Sequence, residues 1–202
     1  MHTGLSDFDL TPTTTKQSYP ANRPLSAKAD IEAAASLLFK AKQPVMVAGG
    51  GALISVAFDE VREIAEYLTM PVATTFTGKG IISEEHPLAI GMLGGIGIGY
   101  SEQVVREADV VLLVGFKSGQ NSTFGWTFPE QKQQLIHLDL DAAEIGKVFK
   151  TQVGITADAQ SALRQILNEL AKLTDNQPQV KPQYMERLAK LKEGWKQVFG
   201  IQ

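Results

Sequence analysis

Glycines, a lysine and several aspartates recur directly behind short apolar runs in this sequence. Gly49, Gly50 and Gly51 follow Val45–Ala48, while Thr75, Gly78, Lys79 and Gly80 follow the run that begins at Pro71. A glycine-rich stretch from Gly91 to Gly99 comes next, and Gly115, Phe116 and Lys117 follow Val110–Val114. Asp139 and Asp141 stand behind Leu135–Leu138, and Asp158 behind Gln152–Ile155. Glycine lets backbone amides approach a ligand closely, and a following helix N-terminus favours phosphate. A lysine suits a diphosphate, and carboxylates suit ribose hydroxyls. The collection reads as a dinucleotide site.

Each piece also has a plainer reading. The glycine triplet serves as a tight turn, Lys79 between two glycines as a solvated loop tip, and Asp141 and Asp158 as helix caps. His86 before Pro87 reads as a turn residue, and His137, alternating within an apolar run, as a satisfied core histidine. The three histidines lack metal-ligand spacing with any carboxylate. No Ser-His-Asp or G-x-S-x-G arrangement suggests a hydrolase. The ordinary NAD fingerprint fails too, because Ile54 holds the third glycine place and Thr74-Thr75, not an acid, closes the second apolar run.

Bulk properties narrow the field. The chain has 202 residues, no cysteine and a formal charge of −3. That balance argues against non-specific nucleic-acid or anionic-membrane partners, and the missing cysteines exclude a disulfide framework or thiolate metal site. No apolar run reaches the length of a membrane span, and the N-terminus lacks a basic-then-apolar leader, so a cytoplasmic protein is expected.

The elements that must position these residues follow from periodicity. Residues 1–25, rich in Thr, Ser, Pro and Asn, read as a linker, and residues 26–173 as one domain. Within it, Ser26 is expected to cap a helix carrying Ile31, Ala34 and Leu38, and Ser55 one carrying Phe58, Val61, Ala65 and Leu68. Asp141-Ala142-Ala143-Glu144 resembles a capping box, and Asp158 caps a helix carrying Leu163, Ile166 and Leu170. Residues 174–202 read as a second linker and a charged helix, with Met185, Leu188, Leu191 and Trp195 on one stripe. Strands apolar on both faces alternating with amphipathic helices imply an α/β, doubly wound, mainly parallel, Rossmann-like sheet, which binds ligands beyond its strands' carboxyl ends.

Five segments carry a family resemblance: AKQPVMVAGGG (Ala41–Gly51), MPVATTFTGKG (Met70–Gly80), EEHPLAIGMLG (Glu84–Gly94), EADVVLLVG (Glu107–Gly115) and LIHLDLDAAEIGK (Leu135–Lys147). In this order and spacing the chain resembles the central domain of thiamine-diphosphate-dependent enzymes of the acetolactate synthase group. The resemblance implies a cofactor crevice holding FAD, an ADP-type nucleotide, or nothing. Its contacting positions are Gly49, Gly50, Gly51, Thr75, Gly78, Lys79, Gly80, Met92, Leu93, Gly94, Gly95, Gly115, Phe116, Lys117, Asp139, Asp141, Ile145, Asp158 and Ala159. The family follows the central strand with a G-x-R-F-D-D-R type segment; here Gly115-Phe116-Lys117-Ser118-Gly119-Gln120-Asn121 stands instead, and Lys117 keeps a charge without the guanidinium fork.

The resemblance also implies partners. The chain would be joined to a pyrimidine-binding domain, whose run-out is residues 2–9, and to a diphosphate-binding domain. The parent is then a dimeric or tetrameric 2-keto acid decarboxylase and carboligase using thiamine diphosphate and magnesium. The Gly-Asp-Gly segment and later Asn-Asn that hold this cofactor are absent, so the chain by itself is expected to be non-catalytic. Two other readings stay open: a spacer domain with an empty crevice, and a free-standing Rossmann-type NAD-binding protein.

Overall fold

A computed structural model describes residues 23–97 and 99–199. Of the expected linker over residues 1–25, residues 1–22, with the run-out at 2–9, lie outside the described residues. The elements in chain order are α1 (Lys28–Lys40), β1 (Pro44–Ala48), α2 (Gly50–Ile54), α3 (Phe58–Leu68), β2 (Val72–Thr74) and β3 (Ala89–Met92). They continue with α4 (Gly99–Glu107), β4 (Val110–Val114), β5 (Gln134–Asp139), β6 (Val153–Thr156), α5 (Ala159–Leu173) and α6 (Pro182–Phe199).

All six strands are parallel, in the order β3-β2-β1-β4-β5-β6. The chain builds outward from β1 to β3, returns to lay β4 on the other side of β1, and continues to β6. The strand order therefore reverses between β1 and β4, and a crevice opens there. Every residue of β1 and β4 is buried, as the continuous apolar runs require of strands covered by helices on both sides. The α/β, doubly wound, Rossmann-like expectation holds.

Local chemistry explains where the elements stop and turn. Between α1 and β1, the Asp109 carboxylate accepts from the Lys42 and Gln43 amides at 2.7 and 2.9 Å, which ties this turn to the start of β4. On the face where α3 meets α5, Arg164 donates to Glu60 at 3.0 Å and to Glu63 at 2.5 Å. Three expected caps differ. Ser26 does not cap α1, whose N-cap is Ala27 with no side-chain bond. Ser55 does not cap α3 either; it ends α2, and its hydroxyl accepts instead from the Gln160 amide at the start of α5. At Asp141 no helix forms. A capping box needs Glu144 to accept the Asp141 amide, but Asp139 Oδ1 already takes that amide at 2.9 Å, and Glu144 pairs with Lys147. One strand, β3, was not expected. It has only four residues, its Gly91 sits at φ 80°, and its register shifts opposite Val72/Ala73, so its sequence reads as a glycine-rich loop.

Residues 174–199 lie against this same unit. The Thr69 hydroxyl donates to Gln179 O at 3.1 Å and accepts from the Lys181 amide at 3.0 Å, and Lys192 Nζ donates to His86 O. In α6, Tyr184 and Leu188 are buried, and the Trp195 ring meets Tyr100 edge-on at 6.0 Å. Gly99 makes room for that indole: a Cβ there would lie 2.7 Å from Trp195 Cζ3. We expect Trp195→Ala to cost about 2 kcal/mol, below the full cost of emptying a buried site because the indole is only partly covered. Amide exchange confined to α6 and the start of α4 would check it; unchanged protection in α6 would contradict the docking.

Candidate functional site

The crevice at the β1/β4 reversal is a cleft of about 610 Å³, within the range of small-molecule sites. Its floor is Gly49, Gly50, Gly51 and Gly115; one wall is Thr75, Phe76, Thr77 and Leu93, and the other is Lys117 with Gly119–Ser122. Asp139 at the end of β5 closes it and also borders an adjoining hollow of about 460 Å³, lined by Ser55, Leu140, Asp141, Asp158 and Ala159. The two spaces share Gly51, Ile54, Gly115 and Asp139 and form one elongated crevice beyond the strands' carboxyl ends.

The floor is built by backbone touching backbone. The Gly49 amide donates to Val114 O at 2.8 Å and the Gly51 amide to Gly115 O at 3.1 Å. Gly115 turns with φ 56°, and a Cβ on Gly78 would lie 2.2 Å from Ala48 O. These glycines are required by the turns themselves, whatever the crevice holds.

The outer wall is an anchored loop. The Gly95 amide donates to Asn121 Oδ1 at 3.0 Å, joining the loop behind β3 to the loop behind β4. Further out, Arg106 on α4 lies over the Phe124 ring, 5.1 Å from its centroid, and donates to the Thr127 hydroxyl and to Glu130.

Not every expected site residue reaches the crevice. Gly49, Gly50, Gly51, Thr75, Leu93, Gly115, Lys117, Asp139, Asp141, Asp158 and Ala159 line it. Gly78 is buried beneath β1, Lys79 pairs with Glu84 at 2.9 Å, and Gly80 forms an open turn at φ 97°. Phe116 is wholly buried, and Met92, Gly94, Gly95 and Ile145 border neither space. Phe76 was not anticipated, although an aromatic in a Thr- and Gly-rich turn is a visible signal; its ring is 68% exposed on the cleft wall.

The titratable groups sort into structural and available. His137 is a core histidine whose Nε2–H donates to Phe116 O at 3.0 Å; burial lowers its pKa and keeps it neutral. His86 accepts the Leu88 amide and faces Glu66, holding a turn. Asp158 is 1% exposed and fully engaged by Arg23 at 3.0 Å, the Ser55 hydroxyl at 2.7 Å and the Ser161 amide at 3.0 Å. Lys117 is exposed on the cleft wall and makes no salt bridge among the described residues. Asp139 receives the Asp141 amide on Oδ1 and faces both spaces. Among the described residues no group of acidic or histidine side chains could hold a metal ion, and no helix is long and apolar enough to cross a membrane.

The family described as thiamine pyrophosphate enzyme, central domain, matches residues 31–166. A probable acetolactate synthase large subunit of Methanocaldococcus jannaschii is 34% identical over 192 residues, covering 94% of this chain and 32% of that protein. Its counterpart in Methanococcus aeolicus is 39% identical over 140 residues, covering 69% and 23%. The acetolactate synthase large subunit of Cyanidium caldarium is 35% identical over 164 residues, covering 81% and 28%. The chain thus spans no more than about a third of the length of these curated relatives. A matched stretch running from α1 to α5, on a sheet of this order, leads to one assignment: the chain belongs to the central-domain family of thiamine pyrophosphate enzymes, and within it is similar to acetolactate synthase large subunits.

Proposed function

We propose that the chain is the non-catalytic central domain of a thiamine-diphosphate-dependent enzyme acting on 2-keto acids, and that its crevice holds FAD or an ADP-type adenine nucleotide. The supporting observation is the crevice itself: an elongated space at the strand-order reversal, walled by the exposed Phe76 ring and closed by Asp139. An aromatic face and a carboxylate at a strand end suit a planar base and a ribose diol. The same reading places the parent in the cytoplasm as a homo-oligomer, with pyrimidine- and diphosphate-binding domains on either side. Thiamine diphosphate would supply the carbanion chemistry there. The residues described here do not suit it, since they offer no carboxylate cluster for its magnesium; its contacts are assigned to the flanking domains.

A second reading is favoured by the floor. Because Gly49, Gly51, Gly78 and Gly115 are demanded by backbone packing, a spacer with an empty crevice would keep them too. Thermal unfolding of the purified chain separates the two. At about a hundredfold excess over Kd, FAD or ADP adds ~2.7 kcal/mol, which for a chain of this size raises Tm by roughly 5–10 °C. No shift with FAD, ADP or NAD identifies the spacer.

A further inference from the structure

We infer that a second hollow, at the opposite end of the sheet from the crevice, is a binding site for a phosphate group. It has a volume of about 750 Å³ and lies between the turn that joins α1 to β1 and the start of α6. Lys42 and Gln43 line it from the turn, and Lys181, Gln183, Tyr184 and Arg187 from α6. Every charged side chain on this wall is a cation. The start of α6 adds its own polarity. Pro182 has no N–H, the Tyr184 and Met185 amides both bond Lys181 O, and the Gln183 amide has no acceptor among the described residues. No acidic residue stands in the first turn, so the positive end of an 18-residue helix is left unanswered.

Tyr184 is the residue that points to a ligand. It is only 9% exposed and lines the hollow, yet its hydroxyl makes no hydrogen bond among the described residues. A buried phenol ordinarily finds a partner. Burial pushes its pKa up, so it stays protonated and able to donate. Lys181 donates to Ala41 O at 3.1 Å and keeps its other N–H donors; burial lowers its pKa, so an anion would relieve a poorly solvated cation. Lys42 is exposed and makes no salt bridge among the described residues, while Arg187 is paired with Glu107. Asp109, beside the turn, has both carboxylate oxygens engaged by the Lys42 and Gln43 amides and does not line the hollow. Two ammonium groups, a phenol and a helix amide thus converge where no carboxylate opposes them. A tetrahedral dianion accepts from several directions at once and suits that set better than a planar, singly charged carboxylate.

The test is a titration of the chain with inorganic phosphate at neutral pH, followed by amide NMR, with acetate and chloride at matched ionic strength as comparators. Phosphate should move the Gln183, Tyr184, Lys42 and Gln43 amides and saturate on the order of 1 mM, what so small a ligand can reach. Acetate and chloride should bind at least about fivefold more weakly. Tyr184→Phe removes one hydrogen bond to a charged group and should weaken phosphate about fivefold. Lys42→Gln, on an exposed side chain, and Lys181→Met should each weaken it about threefold. Glycerol phosphate separates the free ion from a phosphoryl group on a larger molecule, and binding by either upholds the site. Shifts that chloride reproduces, equal binding of acetate, or phosphate affinity unchanged in Tyr184→Phe and Lys42→Gln would overturn the inference. So would shifts confined to the crevice amides of Gly50, Thr77 and Asn121, which would place the anion at the other end of the sheet.

Discussion

Replacing Gly49 with alanine is expected to lower the melting temperature by roughly 10 °C, from a loss of about 3–5 kcal/mol in a chain of this size. The added methyl would lie 2.1 Å from Gly115 O and 2.9 Å from Phe116 Cα. Both are backbone atoms, so no side chain can rotate away. Relief requires the carboxyl ends of β1 and β4 to separate, and the bonds from Gly49 N to Val114 O and from Gly51 N to Gly115 O oppose that. Gly80→Ala is the control. Gly80 has φ 97° but nothing within 4 Å of its added methyl, so it meets backbone strain alone, worth about 1 kcal/mol. Calorimetric scans of the two variants decide the matter: equal losses would mean that the floor glycines are conformational, not contact-driven. A large difference places the reason for the glycine triplet in the fold, and then the ligand argument rests on Phe76, Asp139 and the crevice's shape.

That outcome bears on how far the sequence could be read. The central strands were legible because burial on both faces leaves an unmistakable apolar run, as in Val110–Val114. The cap of α5 was legible because Asp158 and Ser161 are three residues apart. What escaped is what long-range partners decide. Ser55 meets the residue it holds 103 positions later, and Arg23 meets Asp158 across 135, so neither role leaves a local pattern. At Asp141 the local signal was legible in part: its carboxylate accepts the Ala143 amide as a cap would, but Asp139 takes the Asp141 amide that the box reserves for Glu144, and the chain turns without forming a helix. At the crevice, strand-end position alone could not separate Lys117, which lines the cleft, from Lys79, which pairs with Glu84 outside it. Phe76 was overlooked because a glycine- and carboxylate-led census weighs polar chemistry above an exposed ring.

Asp158 is the residue where fold and crevice meet, and Asp158→Ala is expected to cost about 3 kcal/mol, a helix cap together with a mostly buried ion pair. The alanine would orphan the Ser161 amide, leave the Ser55 hydroxyl without its 2.7 Å acceptor and remove the charge partner of Arg23, which keeps only its bonds to Ser55. Asp158→Asn keeps the shape and one acceptor but not the charge, so it should lose about half as much. The charge can be isolated by pH. Burial by itself would raise this carboxyl, but the Ser55 hydroxyl, the Ser161 amide and the Arg23 guanidinium together hold it below its ordinary value. A carboxyl lowered in the folded state takes up its proton first in the unfolded chain. Its stabilisation is therefore complete above the unfolded pKa of about 3.9 and is lost as pH falls from there through the lower folded value. Urea unfolding of wild type and Asp158→Asn should then show a constant gap above about pH 5 and a shrinking one below about pH 4. A gap that persists unchanged into the acid limb would mean that Asp158 contributes as a neutral cap and that the Arg23 contact adds nothing to it.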